Sequence, residues 1–444
     1  MADPCVVGLD VGGTHSRAVL ATVGGRVLGS GRAGGGNPTV LGAGPAIANI
    51  VAALRAALGE LPGEHVQACV VGLAGVSTLM ADPNALEVLK QAWADAGLVC
   101  SVRVVSDVTV SFAAGTPRPD GTLLVSGTGA VAARMRDRLP ARFRDGYGWL
   151  LGDDGSGFWI GRQAARATIA AVDGRAPMAE LAKAVLATLL DQDPNSGSSP
   201  TTGRAGSVTS GRTWPQTGLG GRAPASVPDH DHHSTPGSKS APDSKPVLDS
   251  NPRSTASEDS ERKTSALSNA VASAAPQATP IGEGFALRGR RRASELVRAI
   301  TAQPTVALAR LAPLVMTAYE LGDPAAQRIV QEAARVLIDS LAGVDPVAGE
   351  PVVLGGSVLV SRSPVFDAVS TAVSLRWPDS PIGLAHDGAA GATWLAAREV
   401  LGATAGTGVH AAFTQDPDRD RHRGTGHRPA ADQTPDPARS AKFS

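Results

Sequence analysis

The stretch Gly8-Leu9-Asp10-Val11-Gly12-Gly13-Thr14-His15-Ser16-Arg17 decides how this chain is read. An apolar run, Cys5 to Leu9, ends in Asp10. Two glycines and a hydroxyl residue follow, and a second apolar run, Ala18 to Ala21, comes after them. The pattern predicts a strand, a tight hairpin and a second strand. A glycine pair lets backbone N–H groups approach a ligand without a Cβ in the way, and a phosphate can sit against such amides. Asp10, at the end of a buried strand, is placed to orient a divalent cation, directly or through water. An ordinary glycine hairpin with a surface aspartate has the same pattern, so the rest of the chain must decide.

Composition narrows the classes. A chain of 444 residues can form two core-bearing domains. Hydrophobic residues make up 42%, but aromatics only 3%, so Val, Ala and Leu must fill the core. The formal net charge of +0 argues against a dedicated nucleic-acid binder. No apolar run is long enough to predict a membrane span, and no basic, apolar leader precedes the first strand, so no secretory signal is expected. Cys5, Cys69 and Cys100 lie in or beside apolar runs and cannot all pair with one another. They read as reduced core thiols of a cytoplasmic protein.

Strands are expected at 5–10, 17–22 and 26–30. A three-stranded meander is not the opening of a dinucleotide-binding βαβ unit, which runs from its first strand into a helix. The loop Gly34-Gly35-Gly36-Asn37-Pro38 follows. Helices are expected at 44–58 and 84–96, with buried strands at 67–74 and 102–105. The latter strand ends at Ser106-Asp107, and a short helix follows to 114. A second glycine hairpin, Gly127-Thr128-Gly129, joins strands 122–126 and 130–134. Gly152-Asp153-Asp154-Gly155-Ser156 then leads into helices at 158–172 and 178–190. Later elements are helices at 293–300, 306–321 and 324–341, a strand at 351–354 ending in Gly355-Gly356-Ser357, a helix at 366–375, a strand at 382–384 and a helix at 388–400. Residues 193–289 are dominated by Ser, Pro, Gly, Thr and charged residues, and read as a disordered insertion. A host domain can carry it, because loop-closure cost rises only logarithmically with length. The expected organisation is a lobe at 1–115, a second lobe at 116–402 interrupted by 193–289, and a disordered tail at 403–444. The order strand, glycine hairpin, strand occurs in both lobes, which would put both hairpins on one cleft.

Five elements in order resemble the sugar kinase, Hsp70 and actin superfamily. They are Asp10-Val11-Gly12-Gly13-Thr14, Asp107 after a buried strand, Ser126-Gly127-Thr128-Gly129, Gly152-Asp153-Asp154-Gly155-Ser156, and Leu354-Gly355-Gly356-Ser357. Within it they are similar to the N-acetylglucosamine kinase branch, which shares a domain type with the BadF/BadG/BcrA/BcrD activator ATPases. The resemblance covers about 5–190 and 293–402. It implies an α/β fold of two ribonuclease H-like, actin-like ATPase lobes around a nucleotide cleft, with ATP and Mg²⁺ as cofactors and a small-molecule sugar as acceptor. A homodimer is one assembly found in that branch.

By the same resemblance, Gly12, Gly13 and Thr14 would hold the β- and γ-phosphates, and Ser126, Gly127, Thr128 and Gly129 would hold them from the opposite lobe. Asp10 would position Mg²⁺. Gly355, Gly356 and Ser357 resemble the adenosine motif, although a plain strand-to-helix turn has the same pattern. Asp107 is the candidate catalytic base, because phosphoryl transfer needs the attacking hydroxyl placed and relieved of its proton. A helix N-cap is the other role for it. Asn37 and Asp153 are the candidate sugar contacts, with Asp107. An Asn-Pro turn is the alternative for Asn37, and a cap for the helix near Gly157 is the alternative for Asp153. Asp154 stands where the branch usually has Glu, and Tyr147 where Trp is frequent.

An activator ATPase would need cysteines for a bridging iron–sulfur cluster, and the three here include no such pair. A sugar-sensing regulator would carry a helix-turn-helix, which is not recognisable ahead of the first strand. Asp229-His230-Asp231-His232-His233 has metal-ligand residue types but lacks a scaffold. Gly289-Arg290-Arg291-Arg292 reads as a solvated helix start, and His15 as a turn histidine beside the hairpin.

Overall fold

The computed structural model describes residues 3–190, 281–402 and 407–414. β1 (Cys5–Val11), β2 (His15–Thr22) and β3 (Val27–Gly34) form the expected antiparallel meander. Helices α1 (Pro38–Leu41) and α2 (Ala43–Leu58) follow, then β4 (Val66–Leu73), α3 (Val76–Met80), α4 (Pro83–Asp95) and β5 (Val102–Ser106). β4 pairs parallel with β1 and β5 parallel with β4, giving the order β3-β2-β1-β4-β5. β1 and β4 are buried along nearly their whole length, which is why they read as unbroken apolar runs. One face of the sheet packs on Ile47, Ile50, Leu54 and Ala57 of α2, spaced at helical intervals, and on Leu89 and Trp93 of α4.

From β5 the chain enters α5 (Asp107–Gly115) and crosses to a second sheet: β6 (Gly121–Ser126), β7 (Ala130–Arg136) and β8 (Leu139–Asp145). Helices α6 (Gly157–Val172), α7 (Glu180–Leu190), α8 (Ile281–Thr301), α9 (Ala312–Glu320) and α10 (Pro324–Ala342) precede β9 (Val352–Gly355). Then come α11 (Ser357–Val360), α12 (Pro364–Arg376) and β10 (Ile382–Ala385). The order β8-β7-β6-β9-β10, three antiparallel strands then two parallel ones, repeats the first sheet. β8 is the one strand the sequence pattern does not predict. Its residues LPARFRD include a proline and three charges and are mostly exposed, as an edge strand tolerates.

The chain passes between the sheets twice. In α5, Val110 and Ala113 pack with Val6 and Val70 of the first sheet, while Val108 and Phe112 pack with Leu123 and Val353 of the second. The return is shorter. Only His386 and Asp387 separate β10 from α13 (Gly388–Leu401), which lies on the first sheet and on α5. The approach there is very close, since a Cβ on Gly8 would overlap the Thr393 backbone.

A last helix, α14 (Thr407–Thr414), corrects the expectation of a wholly disordered tail at 403–444. Val409 and Phe413, four residues apart, pack against the Trp394 cluster. The His410 ring lies 4.6 Å from the Trp394 ring, edge to face, and its Nε2 is 2.8 Å from the Ala113 carbonyl. α8 begins at Ile281, within the last residues of the expected insertion. Arg290 to Arg292 therefore lie within a helix instead of at its start, exposed, while Leu296 is buried against Val172 and Leu186. The rest of the expected insertion and tail, including the 229–233 histidine run, lies outside the described residues. Cys5 and Cys69 are buried, Cys100 is partly so, and all three are free thiols. No single helix among the described residues is long and apolar enough to cross a membrane.

Candidate active site

The first-lobe half of the site is built from the C-terminal ends of β1, β4 and β5. Gly12 N–H donates to the His15 carbonyl at 2.9 Å, which closes the hairpin, and Gly36 N–H donates to Gly12 O at 3.0 Å, which ties the Asn37 loop to it. A Cβ on Gly13 would meet nothing within 4 Å, and Gly13 and Thr14 are exposed. The Gly13 and Thr14 amides are thus open to a ligand, while the Gly12 amide closes the turn. His15 Nδ1 lies 3.1 Å from Thr14 Oγ1.

Asp10 is directly opposite Arg17 across the β1–β2 pair, so the two side chains share one face of the sheet. Burial pushes the Asp10 carboxyl up to about 7, the negative charges of Asp107 and Asp387 push it the same way, and Arg17 opposes them. Asp107 is the first residue of α5, and the N-cap is Ser106. That corrects the cap role for Asp107. Its Oδ1 accepts from Ser106 Oγ at 3.1 Å and from Val108 N–H at 2.9 Å, which fixes the carboxylate. Burial raises its pKa, and those two hydrogen bonds pull it down.

Asn37 is the N-cap of α1, its Oδ1 accepting from Thr39 N–H at 2.9 Å. The turn role of the Asn-Pro pair therefore holds for Oδ1. Its Nδ2 makes no hydrogen bond among the described residues and is free to meet a ligand. Thr39 Oγ1 and Thr78 Oγ1 lie 2.8 Å apart beside it, both exposed.

In the second lobe three sequence motifs converge. Gly127 N–H donates to Gly129 O at 2.8 Å, and Gly157 N–H to Gly127 O at 2.7 Å, which joins the hairpin to the start of α6. Ser126 is buried, and its hydroxyl donates to Gly155 O at 2.9 Å. The Ser126 hydroxyl thus braces the Asp153–Ser156 loop. Gly356 has φ +83°, and a Cβ on it would overlap the Ser126 carbonyl. The Gly355-Gly356-Ser357 turn thus lies on the second hairpin, with Gly355 buried and Ser357 exposed.

Asp153 is placed against the same hairpin. Its Oδ1 accepts from Ala130 N–H at 3.0 Å, and a Cβ on Gly129 would come within 2.9 Å of that oxygen. The Asp153 pKa is raised by burial first, with Asp145 and Asp154 adding and the Ala130 N–H opposing. The cap for α6 is Ser156, not Asp153, as Ser156 Oγ accepts from Trp159 N–H at 3.1 Å.

Two residues escape the sequence reading. Asp145 accepts from Gly146 N–H (2.7 Å), Asp153 N–H (2.7 Å) and Asp154 N–H (2.9 Å), so one carboxylate closes both ends of the 146–152 loop. Nothing marks it in sequence, since it ends an arginine-rich edge strand. Asp387 caps α13, accepting from Ala389 N–H at 3.0 Å, and pairs with Arg17 at 2.9 Å. Its place before Gly388-Ala389-Ala390 is an N-cap signal that could have found it.

The donor set near Asp10 is all oxygen and carboxylate, which suits Mg²⁺. Among the described residues no group of three or more metal-ligating side chains occurs. That also fits, because Mg²⁺ takes one or two carboxylates and completes its shell with substrate phosphates and water. Asp10 is the residue that would hold it.

The sequence profile of the BadF/BadG/BcrA/BcrD ATPase family matches residues 7–396. An N-acetylmuramic acid/N-acetylglucosamine kinase of Clostridium acetobutylicum is 34% identical over 80 residues, which is 18% of this chain and 26% of that protein. The match thus spans about a quarter of the curated relative's length. A putative N-acetylglucosamine kinase of Chromobacterium violaceum shares the fold, with a TM-score of 0.54 and 17% identity over 88% of this chain and 99% of that one. The two repeated sheets are the two lobes of the actin-like ATPase fold, and the chain belongs to the BadF/BadG/BcrA/BcrD ATPase family.

Proposed function

We propose that this chain is an ATP-dependent kinase that phosphorylates an amino sugar, N-acetylglucosamine at its 6-hydroxyl. The observation that carries the reading is the pairing of Asp10 and Asp107. Both sit at strand ends, each within electrostatic reach of the other, beside a hairpin whose Gly13 faces open space. Two hydrogen bonds hold the Asp107 carboxylate at the start of α5, where it can receive the proton of an acceptor hydroxyl, as a kinase requires. The similarity to a curated amino-sugar kinase supports the acceptor class.

In this mechanism the open hairpin at Gly12–Thr14 binds phosphate oxygens, and the Gly127–Gly129 hairpin, held by Asp153, offers the second lobe's amides. Bound Mg²⁺ would neutralise charge on the transferring phosphoryl group. Asp107 orients the sugar hydroxyl and takes its proton as the oxygen attacks the γ-phosphorus. The bond from that phosphorus to the β–γ bridging oxygen breaks, and ADP leaves. Asn37 Nδ2 and the Thr39 and Thr78 hydroxyls supply donors and acceptors for a polyol.

The test is ADP release with N-acetylglucosamine, glucosamine, glucose and N-acetylmannosamine, each with and without Asp107→Asn. N-acetylglucosamine should stimulate release most. Asp107→Asn should cut kcat by about 10²–10⁴-fold while nucleotide binding persists. Sugar-independent ATP hydrolysis, unchanged in Asp107→Asn, would overturn the kinase reading. The acid limb of kcat/KM should lie above the ordinary carboxylate range, because burial raises Asp107 and the base works only when ionised.

A further inference from the structure

The ion pair between Arg17 and Asp387 stands where the chain returns from the second sheet to the first. β10 belongs to the second sheet, α13 packs on the first, and Asp387 is the last residue before α13. Asp387 uses both carboxylate oxygens there: Oδ1 caps the helix through Ala389 N–H, and Oδ2 receives Arg17 NH2. Arg17 is the cross-strand partner of Asp10. The Asp10 carboxylate itself lies against the first residue of α13, since a Cβ on Gly388 would overlap Asp10 Oδ2. The chain's other crossing begins at Asp107, whose charge also acts on Asp10. Both passages between the lobes therefore start with an aspartate beside Asp10.

We propose that Arg17 and Asp387 are a positioning pair that seats the Asp10 carboxylate against the start of α13, so that the lobe crossover and the metal-binding end of the site are set together. The pair is partly exposed, 39% for Arg17 and 28% for Asp387, and ion pairs of that exposure add little to folding stability. Its position is what distinguishes it. The Arg103–Glu399 pair also ties α13 to the first sheet, at 2.5 Å, but touches no site residue. Arg17, on β2 opposite Asp10, holds the residue that caps α13, and the first residue of α13 lies against the Asp10 carboxylate. Groups that orient a metal-holding carboxylate act on metal affinity although they never touch the metal.

The inference rests on the nucleotide-kinase reading of the site, and its test is a binding measurement that does not need turnover. Calorimetric titration of ADP at graded Mg²⁺ concentrations compares full-length wild type with Asp387→Asn, Arg17→Gln and the double variant. Asparagine still caps a helix, so Asp387→Asn removes the pair and keeps α13, which guards against a folding failure in Arg17→Gln. Each single variant should raise the Mg²⁺ needed for tight ADP binding about tenfold. The double variant should be no worse than either single one, as for two ends of one interaction. ADP affinity without Mg²⁺ should stay at the wild-type value. An unchanged Mg²⁺ requirement, an additive double variant, or equal loss of metal-free ADP binding would each overturn the positioning role. Failure of the kinase reading shows separately, as wild type that binds Mg²⁺ and ADP but releases none in response to sugar.

Discussion

Asp10 carries a cost in the free protein. Its folded pKa of about 7 lies above the model-compound value of 3.8, so holding it ionised in the fold is unfavourable. The sign follows from linkage: below the ordinary carboxylate range Asp10 is protonated folded or unfolded, and no penalty arises. As pH rises towards 7 the unfolded state gives up its proton first, and stability falls; above 7 the penalty is constant. Asp10→Asn should therefore unfold at higher denaturant than wild type at pH 8, by about 2 kcal/mol after solvent screening. The gap should close as pH falls to 4. Chemical denaturation of metal-free protein at the two pH values checks this. A gap that is the same at both values would show that burial of charge is not its cause. The residue that makes a poor fold at pH 8 is the one the reaction asks to be charged.

Among the elements, the two glycine motifs separate by what surrounds them. Gly13 has a φ outside the left-handed region and empty space where a Cβ would go, so it is free for a ligand and not needed by the backbone. Gly356 has φ +83°, and its Cβ would collide with the Ser126 carbonyl. Gly13→Ala should leave the melting temperature near that of wild type and raise KM for ATP, as a methyl group enters the space above the hairpin. Gly356→Ala should lose about 2–4 kcal/mol of stability from strain and overlap together. Thermal melting and steady-state kinetics on the two variants check both. The sequence shows Gly-Gly at both places, and periodicity cannot say which pair serves a ligand and which serves packing. The same holds for Asp153. Its motif is legible, but only the folded hairpin shows its carboxylate on Ala130 N–H.

At the scale of the molecule, α13 and α5 join the sheets, and α14 closes over them. Trp394 is buried, the His410 ring meets it edge to face, and burial together with Arg138 lowers the His410 pKa. Arg138 and Arg398 also lie over the Trp394 ring, at 5.2 and 5.3 Å. A chain ending at Thr414 is the reference for denaturant unfolding. A chain ending at Gly402 should lose about 2–3 kcal/mol, the burial of Val409, Phe413 and the Trp394 face. Equal stability of the two truncations would show that α14 does not contribute to the fold.

The residues alone determined a great deal. Buried strands of a parallel sheet must be apolar throughout, and a glycine hairpin must interrupt them, so β1, β2, β4, β6, β7 and the five ordered motifs can be read from local pattern. Asp10 and Asp107 can be read as well, since each ends such a strand. The recurring strand, glycine hairpin, strand order points to two similar lobes, and the tertiary structure added which strands pair and in what order, a long-range property that local pattern does not carry. It also decided β8, an edge strand without a buried face, and α14, whose two apolar residues mean nothing until Trp394 is there to receive them. Asp145 and Asp387 belong to this second group. Their carboxylates act on backbone and charges brought near by folding: Asp145 on N–H groups up to nine positions along the chain, Asp387 on an arginine 370 positions away. An aspartate's neighbours in sequence do not reveal such partners. The folded path of the chain, which brings these partners within reach, is what gives the two side chains their roles.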